Sequence, residues 1–151
     1  MDMNERKKIL FVCLGNICRS QMAECIFTYM AKEKKIDGEF EIDSAGTSDE
    51  EEGNPIYPPA RRCLENHGIP TLGHRARKIT KEDLEYFDII FYMEERNKRS
   101  IEWVFKGNKN LGKLRAVTDR DISDPWYTGN FESTYNDIIK GCNAYFKSLG
   151  L

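Results

Sequence analysis

Apolar residues recur with two different periods along this chain, and the switches between them outline its elements. Ile9-Leu10-Phe11-Val12-Cys13 is an unbroken β-branched and aromatic run stopped by Gly15-Asn16, which predicts a strand buried on both faces. After Arg19 the period lengthens. Met22, Ile26 and Met30, flanked by Ala23 and Phe27, predict a helix to about Lys35, with Asp37-Gly38 as its break. Phe40-Glu41-Ile42 predicts a short strand ended by Ser44-Ala45-Gly46. Residues 48–59 read as a loop, and Pro58-Pro59 suits a helix start. Ala60, Cys63, Leu64 and His67 share a face of that helix, with Gly68 as its C-terminal cap. Thr80 and Asp83 resemble a capping box with Asp in place of the usual Glu. Asp88 to Met93 predicts a third strand, followed by a helix with Ile101, Val104 and Phe105 inward that ends near Gly107. Leu114 to Val117 is a fourth strand and residues 119–130 a polar loop. Phe131, Tyr135, Ile138, Ile139, Cys142, Tyr145, Phe146 and Leu149 mark the inner face of a final helix.

Strands alternating with helices predict an α/β fold with a four-stranded parallel sheet covered on both faces. In such folds ligands bind beyond the carboxyl ends of the strands. Cys13 falls at such an end, at the entrance to a helix. A length of 151 residues fits one domain, 1–151. Net charge is only -2, too little to argue for nucleic acid or an anionic membrane as partner. The apolar run 9–14 is too short for a signal or membrane-spanning segment, so a cytoplasmic protein is expected. Five cysteines, an odd number without framework spacing, favour thiols over structural disulfides in a reducing compartment.

The densest chemistry lies in V-C-L-G-N-I-C-R-S, residues 12–20. A loop from a buried strand into a helix N-terminus turns successive backbone N–H groups inward and makes an anion nest. Gly15 and Asn16 are residue types that tolerate left-handed backbone. Arg19 offers a planar fork that matches two phosphoryl oxygens. A thiol beside an arginine and a helix N-terminus ionises more readily than free cysteine. Cys13 with Cys18 is also compatible with a redox pair or half a metal site. The metal reading is the weaker, because Cys25, Cys63 and Cys142 fall on apolar helix faces and His67 and His74 are isolated in sequence.

C-L-G-N-I-C-R-S resembles the signature loop of low-molecular-weight protein tyrosine phosphatases. D-S-A-G-T at 43–47, N-H-G-I at 66–69, H-R-A-R at 74–77, F-D-I-I at 87–90 and D-P-W-Y-T-G-N-F-E at 124–132 are similar to the same family in the same order. The resemblance runs nearly end to end and implies a three-layer, phosphatase I-like domain. It implies hydrolysis of phosphotyrosine proteins or small aryl phosphates, with inorganic phosphate as product, by a monomer without metal or cofactor. By the same resemblance Cys13 is the nucleophile. Leu14, Gly15, Asn16, Ile17, Cys18, Arg19 and Ser20 complete the phosphate loop. Arg19 stabilises the transition state, Ser20 bonds the Cys13 sulfur, and Asp124 is the general acid and then base. Asn16, Ser20, Ser44 and His74 form a supporting network. Trp126 and Tyr127 form a cleft wall, Tyr127 being a position where related enzymes can be phosphorylated. Cys18 closes a reversible, protective disulfide with Cys13.

Trp126 stands where Tyr is commoner in the family but preserves the wall, and three further departures matter more. Gln21 stands where Pro is common, with a small effect on stability expected. Glu94 stands where Asp is usual. S-D-E-E-E-G at 48–53 lacks the aromatic that many relatives carry near Glu50 as the opposite wall. That stretch is either a solvated acidic loop or a cleft mouth favouring basic flanks, and Tyr57 is the one aromatic nearby to replace the wall. Arginine phosphatases are the close alternative, but their loops tend to carry Thr where this chain has Ile17. Arsenate reductases need further cysteines beyond about residue 75, and residues 77–87 hold none. A phosphocysteine carrier needs no Asp124 acid, and a non-catalytic phosphotyrosine-binding module needs neither the nucleophile nor the acid.

Overall fold

Strand β1, Lys7–Cys13, is the centre of the molecule. A computed structural model describes residues 5–151 and pairs β1 in parallel with β2, Phe40–Gly46, and with β3, Ile89–Tyr92. Strand β4, Leu114–Ala116, pairs in parallel with β3, giving the order β2-β1-β3-β4. Side chains alternate across a strand, so a central strand needs two apolar faces. Ile9, Phe11 and Cys13 pack into one core, Leu10 and Val12 into a second. That is why the apolar run is continuous rather than alternating.

Helices α1 (Arg19–Glu33), α2 (Pro58–Asn66) and α6 (Phe131–Ser148) cover the first face. The core there is largely aromatic, with Phe27 stacked on Phe146 at 4.7 Å and Phe11 on Phe91 at 5.5 Å. Helices α3 (Lys81–Tyr86) and α4 (Glu95–Val104) contribute Leu84 and Ile101 to the second. A one-turn helix, α5, spans Pro125–Thr128. No helix among the described residues is long and apolar enough to cross a membrane.

Local signals in the sequence translate directly into backbone. Pro58 occupies the first turn of α2, where its missing N–H costs nothing. Thr80 and Asp83 form the expected reciprocal box, with N–H to oxygen distances of 3.2 and 2.8 Å. Gly68 follows α2 with φ +75°, as a left-handed cap requires.

Three expectations are corrected. β2 does not stop at Ile42 but runs on to Gly46, because Ser44 and Ala45 are buried and pair with Phe11 and Val12. Val104 is 58% exposed rather than inward. Asn97, Ile101 and Phe105, each four residues apart, fill the inner face of that helix, leaving Val104 on its flank. Leu149 lies past the end of α6 and is also exposed. His67, the C-terminal cap of α2, keeps to the face of Cys63, its ring stacked at the surface on Tyr135 of α6.

Candidate active site

The carboxyl end of β1 delivers Cys13 into the loop 14–18, and α1 begins at Arg19. Cys18 is the N-cap of α1 and makes no side-chain cap, so its side chain does not compete for the first N–H groups of the helix. A loop this tight needs a left-handed residue. Asn16 supplies it, with φ 60°, while Gly15 stays outside that region. Gly46 at the end of β2 passes close beneath. A Cβ there would stand 2.8 Å from Leu14 O, so only glycine allows Thr47 N and Ser48 N to donate to Cys13 O and Leu14 O at 2.8 and 3.0 Å.

Asn16 is fully buried and its side chain uses every hydrogen-bonding position it has. Its amide nitrogen donates to Ser20 Oγ at 2.7 Å and Ser44 Oγ at 3.0 Å. Its oxygen accepts from Arg77 N at 3.1 Å and pairs with His74 Nε2 at 2.9 Å. The backbone donor at Arg77 fixes which end of the amide is oxygen. Ser20 Oγ therefore accepts from Asn16, which leaves its own proton free for Cys13 Sγ at 3.0 Å. Ser44 likewise accepts from Asn16 and donates to Glu24 Oε1 at 2.6 Å.

Two carboxylates hold the far side of His74. Its Nδ1 lies 3.2 Å from Asp43 and 3.4 Å from Glu24. Burial pushes the Glu24 carboxyl above its ordinary range against the pull of its Ser44 bond. Burial acts the same way on Asp43, but bonds from His74 and Ser44 N and the charge of Arg77 win and lower it. Arg77 also bridges Asp43 and Asp83 at 3.1 and 2.8 Å, tying the network to the capping box.

Arg19 is 1% exposed, so its charge must be paired. One terminal nitrogen donates to Ile122 O at 2.8 Å. The other reaches Glu94 at 3.2 Å and Asp124 at 3.3 Å. Burial opposes the charge, but the negative neighbours Cys13, Glu94 and Asp124 outweigh it and hold the guanidinium above its ordinary range. Asp124 is the N-cap of α5, its other oxygen accepting from Trp126 N at 3.0 Å.

These groups line one cleft of about 490 Å³, formed by residues 13–19 with Glu50, Glu51, Asp124, Trp126 and Tyr127. Trp126 and Tyr127 are 50% and 76% exposed, so their faces are open to an incoming ring. Glu51 is half-buried beside Gly15, whereas Glu52 lies outside the lining. The acidic stretch is thus part of the mouth. Tyr57 does not replace the missing wall. Its N–H donates to Ile17 O at 2.8 Å and its ring packs on Trp126 at 4.7 Å, so it backs the existing wall. The polar segment expected as a loop at 119–130 contains α5, because Asp124, Pro125 and left-handed Gly129 together cap and close one helical turn.

Cys18 lines the cleft but is only 4% exposed. Burial first, then the charges of Cys13 and Asp124, push its thiol far above the usual range, so it is no competing nucleophile. Sequence reasoning did not assign Glu24, Asp43 or Arg77 to the network: Asp43 and Arg77 lie within the motifs D-S-A-G-T and H-R-A-R, but nothing local marks Glu24. It also undervalued Gln21, which is 2% exposed and donates from Nε2 to Asn16 O at 2.8 Å.

With that geometry in place, kinship follows. A family model described as low molecular weight phosphotyrosine protein phosphatase matches residues 8–150, and the chain belongs to that family. The phosphatase of that name from Gallus gallus is 38% identical, covering 97% of this chain and 98% of its own. The low molecular weight protein-tyrosine-phosphatase YfkJ of Bacillus subtilis is 38% identical over 93% of this chain and 94% of its own. The crystal structure of YfkJ gives a TM-score of 0.90 over 96% of this chain and 95% of that one. A drosophila arginine phosphatase is similar too, at 27% identity and TM-score 0.86, covering 94% of this chain and 97% of its own.

Gln21→Leu keeps the bulk and removes the bond to Asn16 O. Urea unfolding should show a loss of about 1 kcal/mol, and affinity for inorganic phosphate should fall with it. A variant unchanged in both would mean that Gln21 does not brace the loop.

Proposed function

We propose that this chain hydrolyses phosphotyrosine and small aryl phosphates through a phosphocysteine intermediate, without metal or cofactor. The observation that carries this reading is the convergence of Cys13, Arg19 and Asp124 on one aromatic-walled cleft. A bound phosphoryl group takes its oxygens to the loop N–H groups and to Arg19, displacing Asp124 from the guanidinium. Released from Arg19, the Asp124 carboxylate takes up a proton from the incoming phosphate monoanion or from solvent. Cys13 Sγ then attacks phosphorus, the bond to the aryl oxygen breaks, and Asp124 gives that oxygen its proton. A phenol leaving group with pKa ~10 benefits from that proton at neutral pH. The Ser20 proton stabilises sulfur as thiolate, easing its departure when water, deprotonated by Asp124, attacks the phosphocysteine. Free phosphate leaves. Most of the work is positioning and charge stabilisation, as phosphoryl transfer demands.

Arginine phosphatase activity is the second reading, supported by the likeness to the drosophila enzyme. Ile17 lines the cleft and puts an aliphatic branch where a guanidinium would need room, which favours a flat phenol. Phosphotyrosine, phosphoarginine and phosphoserine peptides, compared in EDTA with reduced protein, separate these readings. Turnover should be greatest on phosphotyrosine and absent in Cys13→Ser. Asp124→Ala should slow phenyl phosphate by about 10²–10⁴-fold and an activated aryl phosphate far less. Equal losses on both would remove Asp124 as the acid.

Glu50 and Glu51 at the mouth favour substrates with basic flanks. Glu50→Lys with Glu51→Lys should raise kcat/KM for acidic phosphotyrosine peptides relative to basic ones, most clearly at low salt. An unchanged ratio would make the loop electrostatically silent.

Cys18 serves as the guard of Cys13. Peroxide oxidises the Cys13 thiolate to a sulfenic acid, and the Cys18 thiol condenses with it, expelling water and closing a disulfide. After peroxide and then dithiothreitol, wild-type activity should return and Cys18→Ser should recover less. Equal recovery would leave Cys18 without that role.

A further inference from the structure

Away from the cleft, α2 and α6 bring three metal-ligating side chains to one point. Cys63 is 5% exposed, and its Sγ lies 3.5 Å from Glu132 Oε1. His67 follows Cys63 by one helical turn, and its Nε2 lies 2.8 and 2.9 Å from the two oxygens of that carboxylate. All three donor atoms lie within 4.8 Å of one another. The His67 ring is stacked on Tyr135, with centroids 3.8 Å apart and planes within 9°, which fixes the direction of its nitrogen. Neither Cys63, His67 nor Glu132 lines the phosphate cleft.

We propose that Cys63, His67 and Glu132 form a site for a thiophilic divalent cation of the zinc class that clamps α2 to α6. Bond lengths of ~2.3 Å to sulfur and ~2.0 Å to nitrogen and oxygen set the edges of a tetrahedral site. They require S···O near ~3.5 Å and N···O near ~3.3 Å. The first matches the 3.5 Å between Cys63 and Glu132. The second needs His67 to draw back by roughly half an ångström from its 2.8 Å contact, within reach of a surface side chain. A thiolate and a carboxylate carry two negative charges, which one divalent cation neutralises. Sulfur, imidazole and carboxylate together suit zinc and disfavour magnesium or calcium. Cys63 and Glu132 themselves line a surface groove with Pro59, Arg62, Asn66 and Asn130, from which water could supply a fourth ligand.

Without the cation, the Cys63 thiol donates its proton in a hydrogen bond to Glu132. Binding forms a sulfur–metal bond and releases that proton to solvent. The clamp also has a mechanical consequence. The residue before α2, Tyr57, backs Trp126, and Asn130 caps α6 by accepting from Ser133 N. Tying the two helices therefore holds the segments that flank the cleft.

The test uses the reduced full chain carrying Cys13→Ser, which removes the cleft thiolate as a rival ligand and makes the result independent of phosphatase activity. Titration with Co²⁺ should give one equivalent bound, with thiolate-to-cobalt charge-transfer absorption, and Zn²⁺ should displace it. Adding Cys63→Ser should abolish the absorption. Adding His67→Ala should weaken binding at least about tenfold, and far-ultraviolet circular dichroism confirms that each variant is folded. Zn²⁺ should raise Tm of the Cys13→Ser chain and leave that of the Cys63→Ser chain unmoved. Absence of the charge-transfer band, or its survival in Cys63→Ser, would overturn the site and leave the His67–Glu132 hydrogen bond alone.

Discussion

Everything at the cleft depends on one amide. Asn16 sits in a backbone conformation that L-residues avoid, wholly buried, with both amide protons and both lone pairs engaged. Removing any partner leaves a buried polar group unpaired, so the network is all or nothing. Its ranks of support run outward from Ser20, Ser44 and His74 to Glu24 and Asp43, and then through Arg77 to the cap of α3. What these distant groups hold still is the direction of a single hydroxyl proton, aimed at sulfur.

A second constraint is charge. The loop concentrates N–H groups and a buried guanidinium, which in the free protein must find negative partners. Glu94 and Asp124 provide them. Glu94, 14% exposed, reaches Arg19 at 3.2 Å. Asp124 is shared between Arg19 and its capping of α5, so the proposed acid is held in the cleft before any substrate arrives. In the proposed mechanism the phosphoryl group replaces that carboxylate at Arg19, an exchange of one anion for another at a site already built for negative charge.

Much of this was legible in the residues because much of it is local. A double-faced strand must be apolar throughout, Pro58 and Gly68 bound a helix by their own backbone limits, and Asn16 is one of few side chains that tolerate its conformation. The phosphate loop, being contiguous, could be read whole, and kinship with the family was carried by its motifs. What could not be read depends on where distant segments meet. Tyr57 goes behind Trp126 because its N–H is pinned to Ile17. Gln21 finds the Asn16 carbonyl only once the loop has folded back on α1. Cys63 and His67 share a helix face that the sequence shows, but Glu132 joins them only when two helices 65 residues apart in the chain are packed together.

The central claim is that this network makes Cys13 the atom that receives the phosphoryl group. Its most direct test is rapid acid quench of the enzyme during turnover of an aryl phosphate, followed by mass analysis of its peptides. The account predicts one added phosphoryl group, on Cys13 and nowhere else. Turnover without any adduct on Cys13, or an adduct on another residue, would contradict it.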